Sequence, residues 1–173
     1  MEIYDVAIIP IHGGSIRVFA KKKDDIRQIQ GSVKEILEYE KQKGFYSEEK
    51  YLEDEKEIEK LKKDLIDKLN YFKNKGYKLA GYGASARGTI LLNICNIDNK
   101  YLDYIVDNSI EKQGRYVPGV NIKIVPASYL KENTPNKILL VAYTYAKEIM
   151  KDEEWFTKQG GEFILPNIDI FDK

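Results

Sequence analysis

Histidine, cysteine and tryptophan are almost absent from this chain, since each occurs once among 173 residues. A single cysteine excludes an internal disulfide and any cysteine-cluster metal site, and we predict no metal ion. Cys95 lies inside the apolar run 90–97, which indicates a small buried core residue and not a nucleophile. The one histidine, His12, has no second ligand and no carboxylate partner in the sequence. A structural or substrate-orienting role is therefore favoured over that of a general base.

Neither sign of charge prevails, because Lys+Arg and Asp+Glu both total 28. A chain without excess basic charge does not offer the surface that binds nucleic acid or an anionic membrane. Long hydrophobic runs are also missing: none approaches the length of a bilayer span, and the N-terminus lacks the pattern of a signal peptide. We therefore expect a cytoplasmic protein of one domain, or one domain with an appendage.

What the chain does contain is a glycine-rich segment, Tyr77–Thr89, between an apolar strand and an apolar helix. Gly81, Gly83 and Ala86 fit G-x-G-x-x-A, the pattern in which a strand turns sharply into a helix whose N-terminus faces a phosphate. The glycines permit a tight turn, and the N–H groups of the first helical turn supply hydrogen-bond donors. The pattern indicates a nucleotide or phosphate site; a tight turn without a ligand is the alternative.

A second polar cluster follows a predicted strand over residues 101–107. The strand ends in Asp107, at the distance where this pattern places a carboxylate that accepts ribose hydroxyls. A cap on backbone N–H groups is an equally good role for Asp107. The next loop, 112–115, is cationic, and Arg87 follows the glycine loop. An arginine there can hold phosphate oxygens with its two-pronged guanidinium, so Arg87 and the loop together predict a diphosphate clamp. A solvated surface arginine is the alternative for Arg87.

The order of apolar segments predicts the architecture. A hairpin over 4–20 opens the chain, and two helices follow, over about 24–39 and from Ser47 to about Lys75. From residue 77 strands alternate with helices, the last helix covering 145–159. Such alternation predicts an α/β fold, a Rossmann-like and mostly parallel sheet with helices on both faces. We divide the chain into a hairpin (1–20), a helical segment that braces the sheet (21–76) and a Rossmann-like nucleotide-sugar-binding domain (77–173).

These residues resemble the C-terminal domain of the S-adenosylmethionine-dependent C-methyltransferases that act on nucleotide-linked deoxysugars. The runs that carry the resemblance are Ile9–Phe19, Gly81–Gly88, Asp107–Asn108, Lys112–Arg115 with Pro118–Gly119, and Gly160–Pro166. Gly-Tyr-Gly-Ala-Ser-Ala-Arg-Gly at 81–88 is far more specific than a bare glycine pattern. The resemblance implies that this domain helps to hold the nucleotide diphosphate of the substrate, next to zinc-binding and methyltransferase domains that precede it in the family.

The chain departs from that family in what it lacks: the cysteine-rich zinc domain, the cofactor domain and the Tyr/His/Glu cluster that serves as catalytic base. Residues 1–20 resemble the end of a methyltransferase domain. The resemblance thus implies no cofactor in this chain, S-adenosylmethionine for the complete enzyme, and no methyl transfer by this chain alone. The expected partners are a nucleoside diphosphate sugar and a methyltransferase domain, on this or a separate chain. A homodimer is a further arrangement to test.

The candidate site residues are grouped by the role that they would play. The predicted substrate-binding residues are Gly81, Gly83, Ala84, Ser85, Ala86, Arg87, Gly88, Asp107, Asn108, Lys112, Gln113, Gly114 and Arg115. His12 and Tyr143 are candidates to orient the substrate, and Tyr143 or Tyr145 to stack on a base, although core packing suits these tyrosines as well. No residue is predicted to be catalytic.

Two other functions suit parts of the sequence. The glycine loop and Asp107 would equally serve the NAD(P)-binding domain of an oxidoreductase. Against that function, the chain has no downstream domain to bring a substrate to a nicotinamide and no obvious acid/base pair. The second alternative is a non-catalytic interaction module that uses the long helix as its contact surface.

Overall fold

The computed structural model describes residues 1–11 and 14–166, which fall into two compact units. The first unit ends at Ile58 and the second begins at Glu59. His12 lies outside the described residues, so its role stays a prediction. Within the described ranges no helix is both long enough and apolar enough to cross a membrane.

The first unit contains an antiparallel hairpin, one complete helix and the start of the long helix that continues into the second unit. Strand β1 (Glu2–Ile9) pairs with β2 (Ser15–Lys21), and helix α1 covers Gly31–Gln42. The helix begins later than predicted, because the residues from 24 to 30 have other hydrogen-bond partners. The Asp25 carboxylate accepts the backbone N–H of Arg27 at 2.9 Å, and Gln30 N–H donates to Tyr4 O at 2.7 Å. Such local side-chain bonds compete with helix formation.

One face of this hairpin is continuously apolar. The cross-strand pairs Ile8–Ile16, Val6–Val18 and Ile3–Ala20 place six apolar side chains side by side, and we call them the apolar hairpin face. Ile8 is 72% exposed, Ile16 50% and Val18 51%. Among the described residues of this unit, no apolar side chain is fully buried. The hairpin therefore presents its apolar face to solvent.

The second unit is built on a five-stranded sheet in which all neighbours run parallel. Its strands are β3 (Leu79–Tyr82), β4 (Ile105–Val106), β5 (Ile124–Val125), β6 (Lys137–Leu140) and β7 (Glu162–Ile164), in the order β5-β4-β3-β6-β7. The helices are α2 (Glu48–Asn74), which begins in the first unit, α3 (Ala86–Ile94), α4 (Ser128–Glu132), α5 (Ala146–Asp152) and α6 (Glu154–Lys158). The Ser47 hydroxyl accepts the Lys50 N–H at 3.3 Å and caps the start of α2.

Successive residues of each strand point to opposite faces of the sheet, and both faces are covered. One core contains Leu79, Ile105 and Leu139 with Leu69 of α2 and Leu92 of α3. The other core joins alternate strand residues to α4, α5 and α6, through Ala80, Val106, Leu140, Leu130, Ile149 and Phe156. The period of two and the helices on both faces confirm the α/β, Rossmann-like prediction.

Two elements differ from their predicted extents. Strand β4 covers only Ile105–Val106, because residues 98–102 form a turn in which Tyr101 and Leu102 donate to Asp98 O. The helix predicted over 145–159 is divided into α5 and α6 at Glu153, whose backbone angles are φ −104° and ψ 29°. The two carboxylate oxygens of Glu153 accept hydrogen bonds from Tyr82 and Trp155, and these contacts accompany the interruption.

Candidate functional site

The glycine loop lies at the point where the order of the strands reverses. From β3 the chain continues to β4 on one side, whereas β6 lies on the other side of β3. In open parallel sheets a ligand binds in the crevice beyond the carboxyl ends of the strands at such a switch point. Gly83 follows β3, Asp107 follows β4 and Ala142 follows β6, so three loops meet at this edge.

Two glycines permit close packing of the loop. Gly83 has φ +89°, and a Cβ atom there would lie 2.2 Å from Ala142 Cβ. Gly88, in the first turn of α3, would place a Cβ atom 2.3 Å from Val141 Cγ1. Gly88 therefore serves the close helix–strand approach that the sequence pattern assigns to Ala86, which is exposed.

Ser85 is the N-cap of α3. It has extended backbone angles, and its hydroxyl accepts the Gly88 N–H at 3.0 Å. The first N–H groups of a helix have no partner within the helix and carry the positive end of its dipole. The cap satisfies one of these donors and fixes where the helix begins, at the edge of the sheet that the glycine loop occupies.

Asp107 holds the glycine loop to the loop that follows β4. Its Oδ2 atom accepts the Ala84 N–H at 2.8 Å, and its Oδ1 atom accepts the Ser109 N–H at 2.8 Å. The side chain is buried, at 9% exposure. Of its two predicted roles, the backbone cap is present in the structure, while acceptance of ribose hydroxyls stays a prediction. The Ala84 N–H is directed to Asp107 and is not a free donor for a ligand.

The cationic loop 112–115 is attached to the same edge. Lys112 Nζ donates to Ala84 O at 3.0 Å and lies 3.2 Å from Asp107 Oδ2. Gln113 Nε2 donates to Asp107 O at 3.1 Å. Beyond them the loop runs beside β5, where Gly114 N–H donates to Ile124 O at 2.9 Å. The glycine loop, Asp107 and Lys112 thus form one hydrogen-bonded group.

A cleft of about 320 Å³ opens beside this group. This volume is near the lower end of the range found for sites that bind small molecules. Its lining residues are Tyr82, Gly83, Ser85, Asp107, Asn108, Lys112, Ala142, Tyr145, Glu148, Ile149 and Asp152. Of the predicted substrate-binding residues, Gly83, Ser85, Asp107, Asn108 and Lys112 line the cleft.

Other predicted residues are not among those that line the cleft in the described part of the chain. Arg87, on the first turn of α3, and Arg115 are both exposed. Tyr143 belongs to a short 3-10 turn after β6, and it is Tyr145 that reaches the cleft, 49% exposed. Cys95 is buried in the core as predicted, and burial raises the pKa of its thiol.

The α5 side of the cleft was not predicted. Glu148 and Asp152 lie four residues apart on α5, hence on one face of that helix. In the sequence, the only signal for these two residues was their spacing of four, shortly after the apolar run that forms β6. Nearby, Tyr82 donates to Glu153 Oε1 at 2.9 Å, and burial together with this bond raises the pKa of its phenol well above the ordinary value.

The described residues contain no group of three or more His, Cys, Asp or Glu side chains placed to hold a metal ion. The lining of the cleft can form hydrogen bonds and carries side chains of both charge signs. The ion pair of Lys112 with Asp107 lies on the glycine-loop side, and the carboxylates of Glu148 and Asp152 lie on the α5 side.

Comparison with known proteins adds two findings. A family model described as the C-methyltransferase C-terminal domain matches residues 10–167. C-methyltransferase NovU of Streptomyces niveus is 31% identical over 166 residues, which cover 96% of this chain and 40% of NovU. The chain therefore spans less than half the length of this relative.

Proposed function

We propose that this chain, which belongs to the family of C-methyltransferase C-terminal domains, binds a nucleoside diphosphate sugar as the methyl acceptor of a C-methyltransferase. The observation that supports the proposal best is the cleft at the strand switch point, where the glycine loop and Lys112 face a single opening. In this proposal the methyl donor S-adenosylmethionine is bound outside these residues, and the chain supplies substrate recognition.

The glycine-loop side of the cleft offers two features that favour a diphosphate. The capped N-terminus of α3 carries partial positive charge, and Lys112 adds a full charge with 44% of its side chain exposed. Asp107 offsets part of that charge, so a further cation is needed for a ligand that carries several negative charges. Arg87, in the first turn of α3, is the candidate.

We expect Arg87→Ala to weaken binding of a nucleoside diphosphate about tenfold or more, a loss of about 1.4 kcal/mol or greater. The reason is that a helix terminus contributes only up to about 1 kcal/mol to an exposed charge, whereas a bond to a charged group contributes roughly 1.5–3 kcal/mol. Isothermal titration calorimetry with uridine and thymidine diphosphates measures the change. Arg17→Ala, which removes an exposed arginine from β2, is the matched control and should leave the affinity unchanged.

If Arg87→Ala and the parent chain bind the nucleoside diphosphate with equal affinity, the diphosphate clamp that includes Arg87 is refuted. A thermal-shift panel tests the wider proposal, because a ligand that binds only the folded state raises its melting temperature. Stabilisation by nucleoside diphosphates and not by NAD(P) supports substrate binding. Stabilisation by NAD(P) alone would favour the oxidoreductase alternative, and micromolar binding of S-adenosylmethionine would refute the assigned division of roles.

We also propose that the apolar hairpin face is covered by a methyltransferase domain, on the same or a separate chain. Three cross-strand apolar pairs form this face, and exposed apolar patches mark interaction sites. The match of this chain to only 40% of NovU supports a partner domain of this kind. The alternative occupant is a second copy of the chain.

Sedimentation velocity distinguishes the two occupants. We expect the isolated chain to sediment as a monomer at micromolar concentration, because its proposed partner is a different domain. The double variant Ile16→Lys with Val18→Lys should sediment in the same way and retain its stability, since both side chains are about half exposed. A parent dimer that this variant returns to monomers would assign the face to a second copy instead.

A further inference from the structure

The cleft beyond β3 has two chemically different halves. On one side lie Gly83, Ser85 and Lys112, together with Asp107, whose carboxylate is already bound by Lys112 and by two backbone N–H groups. On the other side lie the carboxylates of Glu148 and Asp152 on α5. Among the described residues, neither of these two carboxylates forms an ion pair. Both residues are exposed and line the cleft, so a ligand that enters it can reach their oxygens.

We infer that the α5 half of the cleft receives the hydroxyl-bearing ring attached to the diphosphate, and that Glu148 and Asp152 accept its hydrogen bonds. This inference rests on the proposed function and assigns an orientation to the ligand. An ionised carboxylate only accepts hydrogen bonds, and a hydroxyl donates one readily. A phosphate has no proton to donate and is repelled by two negative charges, so it belongs at the glycine-loop half.

The rest of the α5 half fits the carbon skeleton of such a ring. Ala142 and Ile149 give an apolar floor, and Tyr145 lines the opening with about half of its surface exposed. An aromatic side chain of this kind offers a flat apolar face and a polar tip. The ring can thus lie on apolar atoms while its hydroxyls meet the carboxylates.

Tyr82 helps to hold Glu148 and Asp152, which we call the carboxylate wall, in place. Its hydroxyl donates to Glu153 Oε1, and Trp155 Nε1 donates to Glu153 Oε2 at 2.6 Å. Glu153 directly follows Asp152 at the end of α5. Because Tyr82 lies between Gly81 and Gly83 on β3, these bonds tie the carboxylate wall to the glycine loop. Tyr82 and Glu153 are accordingly positioning residues.

The test compares ligands that share the diphosphate and differ in their rings. Affinities of the full chain are measured by calorimetry for inorganic pyrophosphate, for uridine or thymidine diphosphate, and for the corresponding diphosphate glucose. The double variant Glu148→Ala with Asp152→Ala should lower the affinity for a ring-bearing ligand, relative to pyrophosphate, about tenfold, because two charge-assisted bonds are lost. The amide pair Glu148→Gln with Asp152→Asn keeps acceptor oxygens and should lose less.

Glu154→Ala is the matched control, since it removes an exposed glutamate of α6 that does not line the cleft. It should leave the ratio of affinities unchanged. A loss confined to the diphosphate glucose would assign the wall to the sugar, and an equal loss for both nucleotides would assign it to the ribose. If the parent chain binds the diphosphates and the alanine pair leaves the ratio of affinities unchanged, the inference is wrong and the proposed function is unaffected. No binding of any diphosphate by the parent chain would overturn the proposed function, and the inference with it.

Discussion

Replacing Gly83 with alanine is expected to lower the free energy of unfolding of the second unit by about 3 kcal/mol. A Cβ atom there would lie 2.2 Å from Ala142 Cβ and 3.2 Å from Ala142 N. Ala142 cannot move away freely, because its N–H donates to Tyr82 O at 3.0 Å. Overpacking of this kind costs roughly 1–3 kcal/mol. The left-handed backbone at φ +89° adds about 1–2 kcal/mol for a residue with a side chain.

Gly114→Ala separates these two causes. Gly114 has a similar φ of +81°, but a Cβ atom added there would meet nothing within 4 Å, so only the backbone strain of about 1–2 kcal/mol applies. Urea denaturation followed by fluorescence of Trp155 reports on the second unit, because Trp155 is the single tryptophan of the chain. Equal losses in the two variants would show that the contact with Ala142 relaxes at no cost.

The sheet and its glycine loop were predictable because both depend on local sequence. Buried parallel strands are short apolar runs, and the positions of glycine and proline delimit them. The alternation of Leu79 and Ala80, or of Ile105 and Val106, between the two cores follows from the strand period alone. A strand followed by Gly81–Gly88 and an apolar helix predicts the turn at β3 without knowledge of the other strands.

Features that depend on distant contacts were not predictable in the same way. Helical periodicity continues from 145 to 159, but the helix is interrupted at Glu153, which bonds to Tyr82 in a different strand. The role of Asp107 was undecided in the sequence because its acceptor oxygen meets the N–H of Ala84, 23 residues away. Glu148 and Asp152 resemble ordinary solvated helix residues until β6 is placed beside β3.

The hydrogen bonds of Asp107 determine how much stability the protein should lose when this side chain is removed. Asp107→Ala leaves the N–H groups of Ala84 and Ser109 without their acceptor. A hydrogen bond to a charged group contributes about 1.5–3 kcal/mol, and a buried donor without a partner costs a similar amount. We therefore expect Asp107→Ala to lower the free energy of unfolding by about 3 kcal/mol or more. Asp107→Asn should lose less, because its amide keeps one acceptor oxygen while its NH2 group faces one of the N–H donors.

Lys112→Ala is the control for the charge on Asp107. Lys112 has 44% of its side chain exposed, so its ion pair contributes about 0–1 kcal/mol. Its bond to Ala84 O adds about 1 kcal/mol, and this variant should therefore lose clearly less stability than Asp107→Ala. Calorimetric titration with a nucleoside diphosphate then separates the two roles of Asp107. If Asp107 only accepts ribose hydroxyls, Asp107→Ala weakens binding and leaves stability unchanged, which would contradict the structural role. If Asp107 holds the glycine loop, stability falls in the alanine variant, and saturating ligand restores part of it because binding favours the folded loop.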